Sequence, residues 1–420
     1  MTTVAIVGGG LAGLVAARHL AEDGVDVQLF ERREAFGGRV GSTERDGFVF
    51  DEGFQVLLTD YPAARRELDY EGLDLRRFPP GLVVAGPNRR STLVDPLRRP
   101  GELSTALFSR AASTRDKLRL LALRRELGRT PDEDLLAAAD RTIREGLAER
   151  GFSESFVEDV VAPLYGGITL DRSLSTSMAV FRYTFEKFST GHAAVPATGM
   201  GAIPRQLAAG AREAGASLHA ETEVEALQAG DGEATLDLGG ETVTADAAVV
   251  ATDPPTAREL TGVETIPTEA RGCVTQFYSL PAETELPTGG RLLLNAGGTE
   301  PNQVVAHSAV APGHAPVGSQ LLSATFLGEP ADGESELAGK TRDALASWFP
   351  EMTFDDLEPL HVERVPFAQF AQPPGFRDSL PDPDAPEGPV VLAGEYTRWS
   401  SIQGALESGR RAAWAAESHC

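Results

Sequence analysis

The amino-acid sequence predicts an α/β fold with a parallel sheet, and three stretches carry that prediction. Val4–Phe30 reads as a buried strand, a glycine-rich turn, a helix and a second strand. Residues 216–252 repeat the strand pattern. Pro389–Ala393 is another short apolar run, and glycines and a helical pattern follow it.

The first stretch runs V-A-I-V-G-G-G-L-A-G-L. Gly8, Gly10 and Gly13 form G-x-G-x-x-G directly after the strand. Gly8 permits a tight turn, Gly10 lets a pyrophosphate approach the backbone, and Gly13 lets the next helix pack closely. The helix expected over Leu11–Ala21 presents the free N–H groups of its first residues, Leu11 and Ala12, to an anion. Gly24 stops it. Val25–Phe30 alternates as a strand, and Glu31 sits at its end, where an acid accepts hydrogen bonds from an adenosine ribose. Strand, motif, helix and acid in this order point to a bound dinucleotide. Gly37 and Gly38 allow backbone contact with a large flat ligand, and Arg39 can fork onto a phosphate.

Composition narrows the class. The 420 residues suffice for two domains and a large core. A net charge of −24 argues against a nucleic-acid partner. Only Lys117, Lys187 and Lys340 are lysines, and scarce lysine with excess acid resembles proteins of halophilic archaea. No apolar run reaches membrane-spanning length, and the N-terminus leads straight into a strand, so the cytoplasm is the expected location. Two cysteines, Cys273 and Cys420, give no disulfide framework, and seven scattered histidines give no metal site.

Along the middle, residues 47–59 suggest a strand, a turn at Asp51–Gly53 and a further apolar run. Residues 61–160 are expected to be mostly helical, with a helix at Tyr61–Asp69 and a short β stretch at Leu82–Leu93. Leu103–Leu127 places Leu103, Leu107, Ala111, Leu118 and Leu121 on one helical stripe, with arginines around it. Such a basic helix could touch an anionic membrane surface. Pro163 and Gly166–Gly167 are expected to break the next apolar segment. Tyr165, Phe181 and Tyr183 belong to the most aromatic part of the chain and are candidates for binding a flat or polyene substrate. Residues 195–209 form a glycine-rich loop entering a helix. Strands are expected at Ala216–His219, Thr222–Ala226, Ala247–Ala251, Cys273–Leu280, Arg291–Asn295 and Gln320–Leu327, and a helix at Glu334–Trp348.

The C-terminal stretch holds Gly394-Glu395, then Ser401-Ile402-Gln403-Gly404-Ala405-x-x-Ser408-Gly409 opening the last helix, with Ser400 or Ser401 as N-cap. Glu31-Arg32 with Gly37-Gly38-Arg39, and this second motif at the other end, resemble the two FAD signatures of the flavin amine oxidase superfamily. That group includes amine oxidases, protoporphyrinogen oxidases and phytoene desaturase-like enzymes. The resemblance implies a Rossmann-like FAD-binding domain assembled from 1–60, 196–256 and 386–420. An α+β substrate domain from 61–195 and 257–385 is inserted into it. It implies flavin contacts from Gly53, Phe54 and Gln55, and an adenine contact from the backbone of Val224. The start of the last helix, at Ser401, Ile402 and Ala405, suits the negative charge of reduced flavin near N1 and O2, and Glu395 suits a ribityl or phosphate-side contact.

Three departures from amine oxidases shape the expected chemistry. The strand around Val274–Tyr278 carries no lysine for flavin N5, Val390–Leu392 lacks the expected aromatic, and no cysteine is placed for a covalent link. Non-covalent FAD is expected. So is hydride transfer to N5 from a hydrophobic isoprenoid, carotenoid or porphyrinogen-like substrate. An amine oxidase and a carotenoid isomerase without net redox are the alternatives. Neither a catalytic base nor an oligomeric state can be read from the sequence.

Overall fold

The computed structural model describes all residues except 1, 96, 103, 106–108, 138–140, 231, 299 and 420. Five parallel strands from three distant stretches form one sheet, in the order Ser217–His219, Asp26–Phe30, Thr3–Val7, Ala247–Val250, Val390–Leu392. Val4 pairs with Ala247 and Val27, and Ala248 with Val390. These strands are apolar along most of their length because they share one buried core with a layer of helices and with a three-stranded antiparallel sheet, Ala226–Ala229, Ala234–Asp237 and Thr242–Ala245. The first helix, Leu11–Glu22, is buried on nearly every side. The last helix, Ile402–Glu417, lies against it so closely that a Cβ at Gly409 would collide with the Ala12 carbonyl. Gly8 adopts φ +104°, and a Cβ there would sit 2.8 Å from the Ala251 carbonyl carbon, so only glycine serves both needs.

A seven-stranded sheet forms the second body. Its order is Glu358–Phe370, Ala270–Pro281, Ser319–Leu327, Gln303–Ala306, Leu292–Asn295, Leu82–Gly86, Arg89–Leu93. The Glu334–Trp348 helix covers one face, burying Leu337, Leu345 and Trp348 with Tyr278, whose hydroxyl pairs with Thr341 Oγ1 at 2.7 Å. Helices between Thr114 and Thr190 complete this half. Among the described residues no helix is long and apolar enough to cross a membrane.

Three local expectations are corrected and two strands are added. The helix expected over Leu103–Leu127 spans only Thr114–Leu127, because Ser113 caps it, accepting from the Asp116 amide at 3.1 Å. Buried Asp116 also takes the Ser153 amide and hydroxyl, at 2.9 and 2.7 Å, and fixes the helix phase. Leu123 and Leu127 therefore face in, while Leu118 and Leu121 are exposed; Leu103 and Leu107 fall outside the described residues. Pro163 and Gly166–Gly167 do not break their segment, which is the Ala162–Thr169 helix. Pro163 follows directly on the π-helical turn Val157–Val161, and that wider turn accommodates a residue with no N–H to donate inside a continuing helix. Gly167 is there for closeness, since a Cβ would lie 2.7 Å from Gln303 Oε1. Thr222–Glu225 is irregular, and the strand begins at Ala226. The long edge strand Glu358–Phe370 and the short Gln303–Ala306 strand were not anticipated.

Candidate active site

One cavity of about 920 Å³ runs from the parallel sheet into the helical and seven-stranded half. Its sheet-side wall gathers Gly8, Gly10, Leu11, Ala12, Glu31, Arg32, Gly37, Gly38 and Arg39 from the N-terminal stretch. It adds Gly53, Phe54, Gln55 and Val224, and from the far end of the chain Gly394, Glu395, Ser401, Ile402 and Ala405. Of the residues expected to serve the cofactor, only Gly13 lies off the wall. It packs against the Gly8 carbonyl, which is the helix-packing role its spacing suggests.

Local folding explains the convergence. The Gly37 amide donates to the Gly9 carbonyl at 2.8 Å, so the Gly37-Gly38-Arg39 step closes over the first glycine turn. Glu31 is buried and accepts from the Gly9 amide at 2.8 Å and the Arg33 amide at 2.9 Å. Gln55 Nε2 donates to the Arg39 carbonyl at 2.7 Å and ties the next loop to the same place. Arg39, expected on a phosphate, has its guanidinium on Glu395 Oε1 at 2.5 Å and on the Ala368 carbonyl at 3.2 Å. That pair joins the two motifs. Ser401 accepts from the Gly404 amide at 2.8 Å and sets the start of the last helix.

The rest of the cavity is an apolar arm, lined among others by Leu120, Leu164, Ile168, Val180, Phe185 and Phe188. Tyr165 lines it, with its hydroxyl 3.1 Å from Thr184 Oγ1. Phe181 and Tyr183 do not. Phe181 packs behind Tyr165, ring centroids 4.6 Å apart, and Tyr183 packs edge-on behind Trp399 at 5.3 Å. Both are buried on the Met178–Thr190 helix; Phe181 shares its face with Phe185, ring centroids 5.6 Å apart, but Tyr165 stands between it and the arm, and Tyr183 lies on the other side of the helix against Trp399.

Several lining residues carried no sequence signal. Trp399 lines the cavity, and its indole N–H has no partner among the described residues. An aromatic two positions before the N-cap of a flavin-motif helix was the clue available. Gln303 and Gln369 come from the two unanticipated strands. Cys273 also lines the cavity, and burial pushes its thiol pKa up to about 11. Arg98 and His192 meet at 2.9 Å from separate stretches, which no local pattern reveals.

The wall fits FAD. The first helix starts without any side-chain cap, so its leading amides at Leu11 and Ala12 are open to the cavity. Gly10 and Gly38 face each other across the turn with no side chain between them, as a pyrophosphate requires. Fold and cavity together define a protein of the FAD-dependent oxidoreductase class.

Comparison with known proteins narrows the class. The model of the family described as "Flavin containing amine oxidoreductase" matches residues 11–416, and the chain belongs to that family. It is 30% identical over 291 residues to a zeta-carotene-forming phytoene desaturase of Myxococcus xanthus, covering 61% of this chain and 54% of that protein. It is 29% identical over 180 residues to protoporphyrinogen oxidase 2 of Arabidopsis thaliana, covering 42% and 34%. The chain spans about half the length of these curated relatives or less. In fold it is similar to a putative protoporphyrinogen oxidase from Exiguobacterium sp. 255-15, with a TM-score of 0.73 at 17% identity over 100% of this chain and 99% of that one.

Proposed function

We propose that the chain removes hydride from a carbon of a hydrophobic substrate, isoprenoid or carotenoid-like or porphyrinogen-like, using FAD held without a covalent bond. The observation that carries this reading is the continuity of the cavity. The wall that fits FAD opens directly into an arm lined by leucine, valine, isoleucine and phenylalanine. When bound, FAD supplies a hydride acceptor at N5, and oxygen or another acceptor reoxidises it.

The chain's own residues have simpler tasks. Gly10, Leu11 and Gly38 hold the pyrophosphate, and Glu31 the adenosine ribose. The start of the Ile402–Glu417 helix stabilises negative charge on the flavin ring. Tyr165, Ile168 and Phe185 orient an apolar substrate and keep water out. Cys273, protonated at neutral pH, is a poor nucleophile, in keeping with non-covalent binding. A protonated amine suits the arm less well, because Arg98, Lys117 and Arg124 line its outer end. Exposed Leu97, Leu118 and Leu121 surround that end among arginines, and we propose that it rests on an anionic membrane surface from which the substrate enters.

Anaerobic addition of a phytoene-like polyene, a porphyrinogen or an amine to the FAD-loaded protein tests the reading. Bleaching of the flavin by one of the first two supports it. Bleaching by amines alone favours an amine oxidase. Product isomerised without net loss of hydrogen, and only with reduced flavin, favours an isomerase.

A further inference from the structure

We propose that Tyr61 and Gln372, beside Trp399, form a site for a neutral carbonyl oxygen, so that the substrate is an apolar molecule bearing a ketone or aldehyde. The inference rests on the hydrophobic-substrate reading above and narrows it.

Among the described residues two tyrosines line the cavity, and their hydroxyls differ. The Tyr165 hydroxyl is satisfied, 3.1 Å from Thr184 Oγ1 and 3.3 Å from the Phe181 carbonyl. Tyr61 is 6% exposed, yet its hydroxyl makes no hydrogen bond among the described residues. A buried phenol ordinarily finds a partner, because an unpaired hydroxyl away from water is costly. Burial is the sole cause that raises its pKa, so it stays a neutral phenol with a proton to donate. Gln372 also lines the cavity and is 4% exposed. Its Oε1 accepts from the Ser400 amide at 2.9 Å, which fixes the direction of its side-chain amide. Its Nε2 has no acceptor among the described residues.

The two residues flank Trp399. Tyr61 packs edge-on against its ring, centroids 6.2 Å apart, and Gln372 holds the amide of the residue that follows it. Tyr61 is kept there by the short helix it precedes, Pro62–Glu67, whose Ala63 amide donates to Gln403 Oε1 at 2.9 Å in the first turn of the last helix. Ser401 and Ile402 of the cofactor wall follow Ser400 directly in the chain.

These groups decide the chemistry of the occupant. Gln372 Nε2 can only donate, and the Tyr61 hydroxyl has a proton to give, so the occupant presents an acceptor. No charged group acts on Tyr61, and an anion at this place would lie buried without a counter-charge. An ammonium group would bring only further donors. A neutral carbonyl oxygen has two lone pairs, one for each donor. A pure hydrocarbon would leave both donors unpaired.

The test uses the FAD-loaded protein and β-ionone with two shape-matched analogues. One carries a methylene in place of the carbonyl, and the other a carboxylate in place of the methyl ketone. Binding is titrated by perturbation of the flavin spectrum. The ratio of ketone to methylene affinity is expected to fall about tenfold in Tyr61→Phe, the scale of one hydrogen bond to a buried donor. In the unmodified protein the carbonyl stretch of bound β-ionone should lie at lower frequency than in a hydrocarbon solvent, which reads the hydrogen bond without any variant. An unshifted stretch, or a ratio unchanged in Tyr61→Phe, overturns the carbonyl site and leaves the hydrophobic-substrate reading standing. Tighter binding of the carboxylate than of the ketone overturns the neutral assignment. Binding of none of the three overturns both readings.

Discussion

Arg39 Nη2 and Glu395 Oε1 meet at 2.5 Å across 356 positions of the chain. Glu395 is buried and Arg39 is part-exposed. The ion pair closes the cavity wall by binding the N-terminal glycine motif to the C-terminal one.

Removing either partner therefore affects both stability and cofactor. Arg39→Ala leaves a buried carboxylate unpaired. Breaking a buried pair costs about 3–5 kcal/mol, and the partial exposure of Arg39 brings the expectation to about 2 kcal/mol. Chemical denaturation measures that loss, and FAD content after gel filtration should fall in the same variant. Unchanged stability and full FAD content would show that the pair is incidental.

Gly409 makes a packing prediction. A Cβ there meets the backbone of Ala12, which sits in the first turn of the first helix and cannot give way as a side chain would. Gly409→Ala should destabilise the protein by about 1–3 kcal/mol. It should also weaken FAD binding by shifting that turn. Equilibrium unfolding with and without added FAD separates the two effects.

His307 makes a pH prediction. It is buried, lies 2.7 Å from Ser323 Oγ, and burial, with His314 nearby, lowers its pKa to about 3 from an ordinary 6.5. The folded state refuses a proton that the unfolded chain accepts. Its contribution is thus complete above pH 6.5 and is lost progressively as pH falls toward 3. Between pH 6.5 and about 5 the loss amounts to roughly 1–2 kcal/mol. The thermal midpoint of the unmodified protein should fall over that window more steeply than that of His307→Phe, measured by calorimetry.

Cys273 gives a chemical check. With its thiol pKa near 11, alkylation by iodoacetamide at neutral pH should run at least about tenfold slower than for an unfolded control. Peptide mapping by mass spectrometry reads the site directly.

The cofactor wall was largely legible in the sequence because its determinants are local. Gly8, Gly10 and Glu31 declare a turn, a close approach and an acid at the end of a strand, each within a few residues of the others. Gly394 and Ser401 do the same at the other end. The outer arm was not legible in that way. Arg98 and His192 come together only through the Phe188 carbonyl and the fold around it. Phe181 and Tyr183 looked like pocket residues by composition, but Tyr165 and Trp399, brought from other elements, pack over them and face the arm in their place. Helix phase separates Leu118 and Leu121, which face out, from Leu123 and Leu127 one turn further on, which face in. Buried Asp116 sets that phase through Ser153, a contact between stretches that periodicity alone does not contain.

The central claim is that both ends of the chain build one FAD site. The most direct measurement is the flavin absorbance of the purified protein after incubation with FAD and gel filtration. It is followed by acid precipitation and identification of the released nucleotide. The account predicts about one FAD per chain, wholly released into the supernatant, and a marked loss of FAD in Gly10→Val and Glu395→Gln. Protein that carries no flavin after reconstitution would contradict it, as would flavin retained in full by both variants.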